Sequence, residues 1–168
     1  SAASDVYKRQ HHEFTENLCH ELIDRFIDKG RCDGATEYAQ QIPPRVIAHI
    51  LGVDVTRADD FVEWVRGVLE IGLSNPEIRL KYRDIIRGFF RDLVVKRRAE
   101  RADDIVSKLI DSQIEGRPLE DEEIVGMCNL LLVAGIDTTW SSIGSALWHV
   151  ATHPADRRRL ANEPDLFP

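Results

Sequence analysis

Cysteine is scarce in this chain: Cys19, Cys32 and Cys128 are the only ones in 168 residues. Their number is odd, and no two lie at the spacing of a zinc knuckle or a redox dithiol, which argues against a disulfide scaffold and a cysteine-based metal clip. A reducing, cytoplasmic setting is expected. Long apolar runs are lacking as well. The longest nearly apolar stretch, Ile124 to Ile136, is interrupted by Asn129 and falls short of the about 20 residues that a bilayer demands, so no membrane partner is expected. There is no surplus of positive charge either. Acidic residues number 29 against 22 basic, a net charge of −7. Phosphate backbones require a clustered basic face, so nucleic acid is not the expected partner. Residues 1–10 hold neither the apolar core of a secretory signal nor a helical period. They read as an assembly scar or disordered tail, and residues 11–168 as a single helical segment.

What remains is ordinary globular material, 43% hydrophobic and 30% charged. It is enough for about one domain, which buries about 70% of its unfolded surface. The pattern is helical almost throughout, so the fold class is all-α. Phe14, Leu18, Leu22 and Phe26 line one face of a helix that Gly30 ends. A short helix is expected from near Pro44 to Gly52, and another after a Thr56 cap, carrying Phe61, Trp64, Val65, Val68 and Leu69. Ser74-Asn75-Pro76 breaks the pattern. A long helix follows from about Pro76 to Arg101, then a short one opened by Asp103. Glu115-Gly116-Arg117-Pro118 reads as a turn. From about Glu120 to Thr152 the pattern is helical again, roughly 50 Å long at 1.5 Å per residue, and Pro154 opens a last short helix.

Chemistry concentrates in the middle of that longest helix, at Leu130-Leu131-Leu132-Val133-Ala134-Gly135-Ile136-Asp137-Thr138-Thr139. The segment is apolar nearly all round, as in a helix buried within a larger body. Gly135 costs about 1 kcal/mol there relative to alanine, and with Ala134 it lets something flat or bulky approach the backbone. A carboxylate and two hydroxyls follow at once. Thr138 lies four residues after Ala134, so its hydroxyl reaches the Ala134 carbonyl, a back-bond that opens a local groove. An acid beside an alcohol at such a groove can relay protons into a dry site. The bland alternative is a packed helix in which Gly135 accommodates a neighbouring helix and Asp137 pairs with an arginine.

The string Ala134-Gly135-Ile136-Asp137-Thr138-Thr139 resembles the I-helix signature of the cytochrome P-450 family, Ala/Gly-Gly-x-Asp/Glu-Thr-Thr/Ser, at every position. Its flanks are similar too. Gly116 to Glu123 looks like the entry to that helix, His149 to Pro154 with Arg158, Arg159 and Leu160 like its exit into the J helix, and Ile42-Pro43 to Val53 like the E helix of soluble bacterial members. The resemblance implies the central portion of the P-450 fold, roughly the D to J helices, belonging to a truncated catalytic domain. It implies a haem-thiolate monooxygenase that inserts one oxygen atom from O2 into a small organic substrate. Electrons would come from a ferredoxin, a flavodoxin or a fused reductase. Thr138 would hydrogen-bond oxygen or its water in the groove, and Asp137 would feed protons toward it. Ala134, Gly135 and Thr139 would border the haem (iron protoporphyrin IX). Leu130 and Val133, one turn earlier, would face the substrate.

The family's cysteine-ligand loop, Phe-x-x-Gly-x-x-x-Cys-x-Gly, and its Glu-x-x-Arg motif are not found here. None of the three cysteines is carried over as axial ligand, so that ligand is expected outside this chain and the isolated segment is expected to be inactive. The rival from another class is a non-catalytic helical ligand-binding or regulatory domain. Other residues read blandly. His149 and His153 have metal-ligand spacing but no HExxH context. The cations between Arg79 and Arg101 read as a solvated helix face, and Trp64, Trp140 and Trp148 as packing aromatics.

Overall fold

A computed structural model describes residues 2–166. The chain forms α1 (Ala2–Asp24), α2 (Ile42–Ile50), α3 (Ala58–Arg66), the single turn α4 (Gly72–Ser74), α5 (Pro76–Ala99), α6 (Ile105–Ile110), α7 (Asp121–Thr152) and α8 (Pro154–Asn162). A hairpin of β1 (Gln113–Ile114) and β2 (Arg117–Pro118) joins α6 to α7. The expected all-helical layout is therefore observed. α1 starts at Ala2, well before the first legible apolar face at Phe14, and Ser1 lies outside the described residues.

Local chemistry sets the helix ends. Gly30 and Gly52 both adopt φ +65°, the left-handed conformation that stops a helix; Gly30, expected to end the first helix, instead caps the 3-10 turn Ile27–Lys29, and α1 ends earlier, at Asp24. Asn75 accepts from the Glu77 and Ile78 amides, capping α5 beside Pro76. Two expected caps fall on neighbouring residues. Asp54, rather than Thr56, opens the approach to α3: its carboxylate accepts from the Thr56 amide at 2.8 Å and starts a 3-10 turn over Val55–Arg57. Asp104, rather than Asp103, caps α6 by accepting from the Ser107 amide at 2.8 Å. Glu115 and Gly116 both take positive φ, 51° and 79°, which turns the hairpin tightly. Glu120 and Glu123 form a reciprocal capping box on α7. Arg117 grips the Glu123 carboxylate at 2.7 and 2.8 Å and, with the Glu120 amide, holds its pKa down at about 2.

The main core lies between α2, α3, α5, α6 and α7. Phe61, Ile86, Phe90, Val106, Ile124, Leu132 and Ile136 are fully buried in it, each worth about 1.5–3 kcal/mol relative to exposure. A satellite cluster of Leu18, Leu22 and Ile42 seats α1 on α2. The run of cations on α5 is an intramolecular zipper. Arg87 and Arg91 hold Glu122, Arg98 holds Asp121, and Arg101 holds Asp111. These pairs are exposed and individually weak; those to Asp121 and Glu122 align α5 with the start of α7, while Arg101, just past α5, reaches Asp111 at the end of α6.

Arg97 is different. Its guanidinium is buried, pairs with the equally buried Asp104, and donates to the Gly52 carbonyl at 2.7 Å. A Cβ at Gly52 would lie 2.5 Å from the Asp104 carboxylate, so glycine is required there for contact as well as for φ. Asp104→Ala is expected to cost about 3–5 kcal/mol, because it strands a buried guanidinium. Asp104→Asn, which keeps the cap acceptor, should cost less; denaturant unfolding measures both.

Between α1 and α2, His49 stacks on Phe14 with centroids 4.0 Å apart and meets His11 edge-on at 5.1 Å. Burial holds both imidazoles below their ordinary 6.5, and His11 is lowered further by His49 and Lys108, against Asp103. The unfolded chain therefore takes up protons in a range where the folded chain does not. Stability is full above about pH 6.5 and falls as pH drops below it. The unfolding midpoint should decrease between pH 7 and pH 5.5, and His49→Gln should flatten that decrease.

Candidate functional site

α7 has two unlike sides. Ile124, Val125, Cys128, Leu132 and Ile136 form a buried stripe. On the opposite side Met127, Leu130, Ala134, Thr138, Ser142 and Trp148 are exposed, Leu130 at 66%. The sequence was apolar nearly all round, yet only one side packs. By length and composition α7 is also long and apolar enough to cross a membrane, which the interrupted run had argued against. Its buried stripe is spent on α2, α3, α5 and α6.

The signature residues divide between these sides. Thr138 Oγ1 donates to the Ala134 carbonyl, the back-bond expected from the spacing. Both residues stand on the open side, with Leu130 one turn earlier. Ser142 repeats the motif by donating to the Thr138 carbonyl at 2.8 Å. Asp137 is half-buried at the edge between the two sides. Its carboxylate has no hydrogen bond or ion pair among the described residues, so the arginine partner of the bland alternative is not found. Thr139 is exposed. Gly135 turns toward α2, where an added Cβ would lie 3.0 Å from Ile47 Cδ1. On this point the packing alternative describes the residue better than a place on the groove wall. Val133 is half-buried against the main core, so of the two expected substrate contacts only Leu130 faces outward.

The open side presents a small side chain at Ala134 and the hydroxyl of Thr138, with the Asp137 carboxylate at its edge. It offers no thiolate. Cys128 is in the core, where burial and then the Asp104 carboxylate push its thiol up to about 12. Cys19 is half-buried beside Tyr38, whose own pKa is raised to about 12 by burial and a hydrogen bond with Cys19. Cys32 is exposed and lines a separate apolar groove of about 740 Å³. That groove runs between Ile23 and Phe26 at the end of α1, the Gly34–Tyr38 turn, and Leu147 and Trp148 of α7. It contains none of the signature residues. Sequence reading missed it because Trp148, taken as a packing residue, is 67% exposed. His149 pairs with Asp156 at 2.8 Å and stacks on His153 at 4.0 Å, a helix-end arrangement. Among the described residues no cluster of three ligands for a metal forms.

Known proteins with similar sequences and folds identify the family. The Cytochrome P450 family model matches residues 47–166. Cytochrome P450 107B1 of Saccharopolyspora erythraea is 33% identical over 91% of this chain and 37% of its own length. The vitamin D(3) 25-hydroxylase of Pseudonocardia autotrophica is 36% identical over 82% of this chain and 34% of its own. Among solved structures, CYP109E1 from Bacillus megaterium in complex with testosterone superposes with a TM-score of 0.83 at 29% identity, over 95% of this chain and 44% of that one. The chain thus spans roughly two fifths of the length of the relatives it matches.

Alkylation with iodoacetamide at pH 8 should label Cys32 readily and leave Cys128 unmodified until the chain is unfolded, as mass spectrometry would read.

Proposed function

The chain belongs to the cytochrome P450 family, and we propose that it works as the distal, proton-delivering wall of a haem-thiolate monooxygenase. The observation that carries this reading is the open side of α7, where a back-bonded threonine stands beside a half-buried carboxylate that has no partner among the described residues. Ala134 and Thr138 are the residues we place against the haem, with Thr139 at the margin. The axial cysteine is supplied from outside the described residues. Haem, when bound, supplies the oxidising chemistry that splits O2 and places one oxygen atom in a C–H bond.

The chain's own residues handle protons, access and orientation. Thr138 commits its hydroxyl proton to the Ala134 carbonyl. Its lone pairs then face the groove, where Oγ1 accepts a hydrogen bond from a water and holds that water in place. Asp137, at the boundary of the open side, takes protons from solvent and passes them to this water. Leu130 gives the substrate an apolar contact one turn away. Relatives include a hydroxylase named for vitamin D(3) and a protein solved with testosterone. We take an apolar organic molecule of that class as the substrate. The electron donor is a ferredoxin, a flavodoxin or a fused reductase, and the setting is cytoplasmic, without nucleic acid or membrane.

The experiment is done in the full-length protein carrying this segment. Thr138→Ala should lower product formed per electron by roughly tenfold and release the balance as hydrogen peroxide, with substrate affinity nearly unchanged. Asp137→Asn should slow turnover by about 10²-fold, the low end of what a positioned proton donor contributes. Unchanged coupling in Thr138→Ala would remove the proton-delivery role.

A further inference from the structure

We infer that Ile47 of α2 is a positioning residue: it sets how far the signature turn of α7 stands toward the open side. The inference deepens the monooxygenase reading and rests on it. Its basis is the contact at Gly135, where the built Cβ position lies 3.0 Å from Ile47 Cδ1 and 3.7 Å from Cγ1. That is tighter than ordinary side-chain packing, so the two helices meet here as closely as a glycine permits. Ile47 is packed on its other sides. It is buried in the main core beside Ala48 and Leu51, neither of which is exposed at all. The two ends of α2 are held as well, by buried Pro43 and Pro44 in the first turn and by the Arg97 bond to the Gly52 carbonyl after the last.

The opposite side of α7 is exposed within this chain at Leu130, Ala134 and Thr138, and it is the side on which we place the haem of the full-length protein. Close-packed interiors transmit strain rather than absorb it. Bulk added between Ile47 and Gly135 therefore presses the signature turn of α7 toward the side on which we place the haem. Ala134 and Thr138 would move with it, because they belong to the same turn. The depth of the groove where Thr138 holds its water is thus fixed by a side chain on another helix, behind the signature and out of reach of any ligand on its face.

A rescue experiment in the full-length haem-loaded protein tests this. Gly135→Ala should raise the fraction of electrons lost as peroxide by about threefold or more and change the low-spin fraction in the visible spectrum. It should also lower Tm, since overpacking a core is destabilising. Ile47→Val removes only Cδ1, the atom in the way. The double variant Gly135→Ala/Ile47→Val should return both the peroxide fraction and the spectrum toward the parent, a coupling that independent sites do not show. Ile47→Leu conserves volume, keeps the core filled, and should by itself shift the peroxide fraction even if Gly135→Ala fails to fold. A double variant as uncoupled as Gly135→Ala overturns the inference. So does a Gly135→Ala protein that loses stability while keeping parental coupling and spectrum, since packing alone would then account for the contact. Failure of the underlying reading looks different: Thr138→Ala would leave peroxide unchanged, while the spectral rescue would still report the helix position.

Discussion

A buried ion pair between Arg97 and Asp104 holds the ends of three helices in one place. Two charges out of water are expensive, and they are tolerated only when the remaining polar atoms find partners. Here they do. Arg97 comes from the last turns of α5 and donates to the Gly52 carbonyl beyond α2, while Asp104 also accepts from the Ser107 amide in the first turn of α6. Ser107 completes the corner by accepting from the Ala102 amide at 3.0 Å. The knot fixes where α2 ends, and with it the position of every side chain along α2. Gly52 is part of the device, since no other residue gives both the left-handed turn and the space for the carboxylate.

From that corner the constraint runs to the site. α2 held at its end places Ile47 against Gly135, and Gly135 lies on the same turn of α7 as Ala134 and Thr138. The glycine costs helix propensity, about 1 kcal/mol, and the close approach of two helices offsets that cost. The signature is thus bifunctional along its own length. Gly135 and Ile136 are given to packing, Asp137 sits at the edge, and Ala134 and Thr138 stand on the open face. A single stretch of helix contributes to the core and also presents an open face because successive residues turn by about 100°.

The cations of α5 teach a related lesson. Along the chain Arg87, Arg91, Arg97, Arg98 and Arg101 are alike, spaced among acids as on any solvated face. In the fold four of them clasp carboxylates at the surface and one is swallowed whole. Nothing local distinguishes Arg97, because burial is decided by what arrives from α2 and α6, some 45 residues away for Gly52 and 7 for Asp104. The misplaced caps have the same origin on a smaller scale. Thr56 and Asp54, or Asp103 and Asp104, are equally able to accept an amide, and the path of the incoming chain chooses between them.

Much of the helical framework was legible in residue order. Periodic apolar residues, the glycines at 30 and 52, Asn75-Pro76 and the turn at Glu115–Pro118 are local devices acting over a few bonds, and they place helices and breaks wherever they occur. The signature, the Thr138 back-bond and the absence of an axial cysteine motif are also properties of the chain itself. What tertiary structure alone decided was phase: which side of α7 enters the core, that Val133 packs while Leu130 does not, and that Gly135 answers to Ile47. A helix apolar nearly all round carries no signal of its own orientation, so only its neighbours, by the surface they have left to bury, select the side that remains for chemistry.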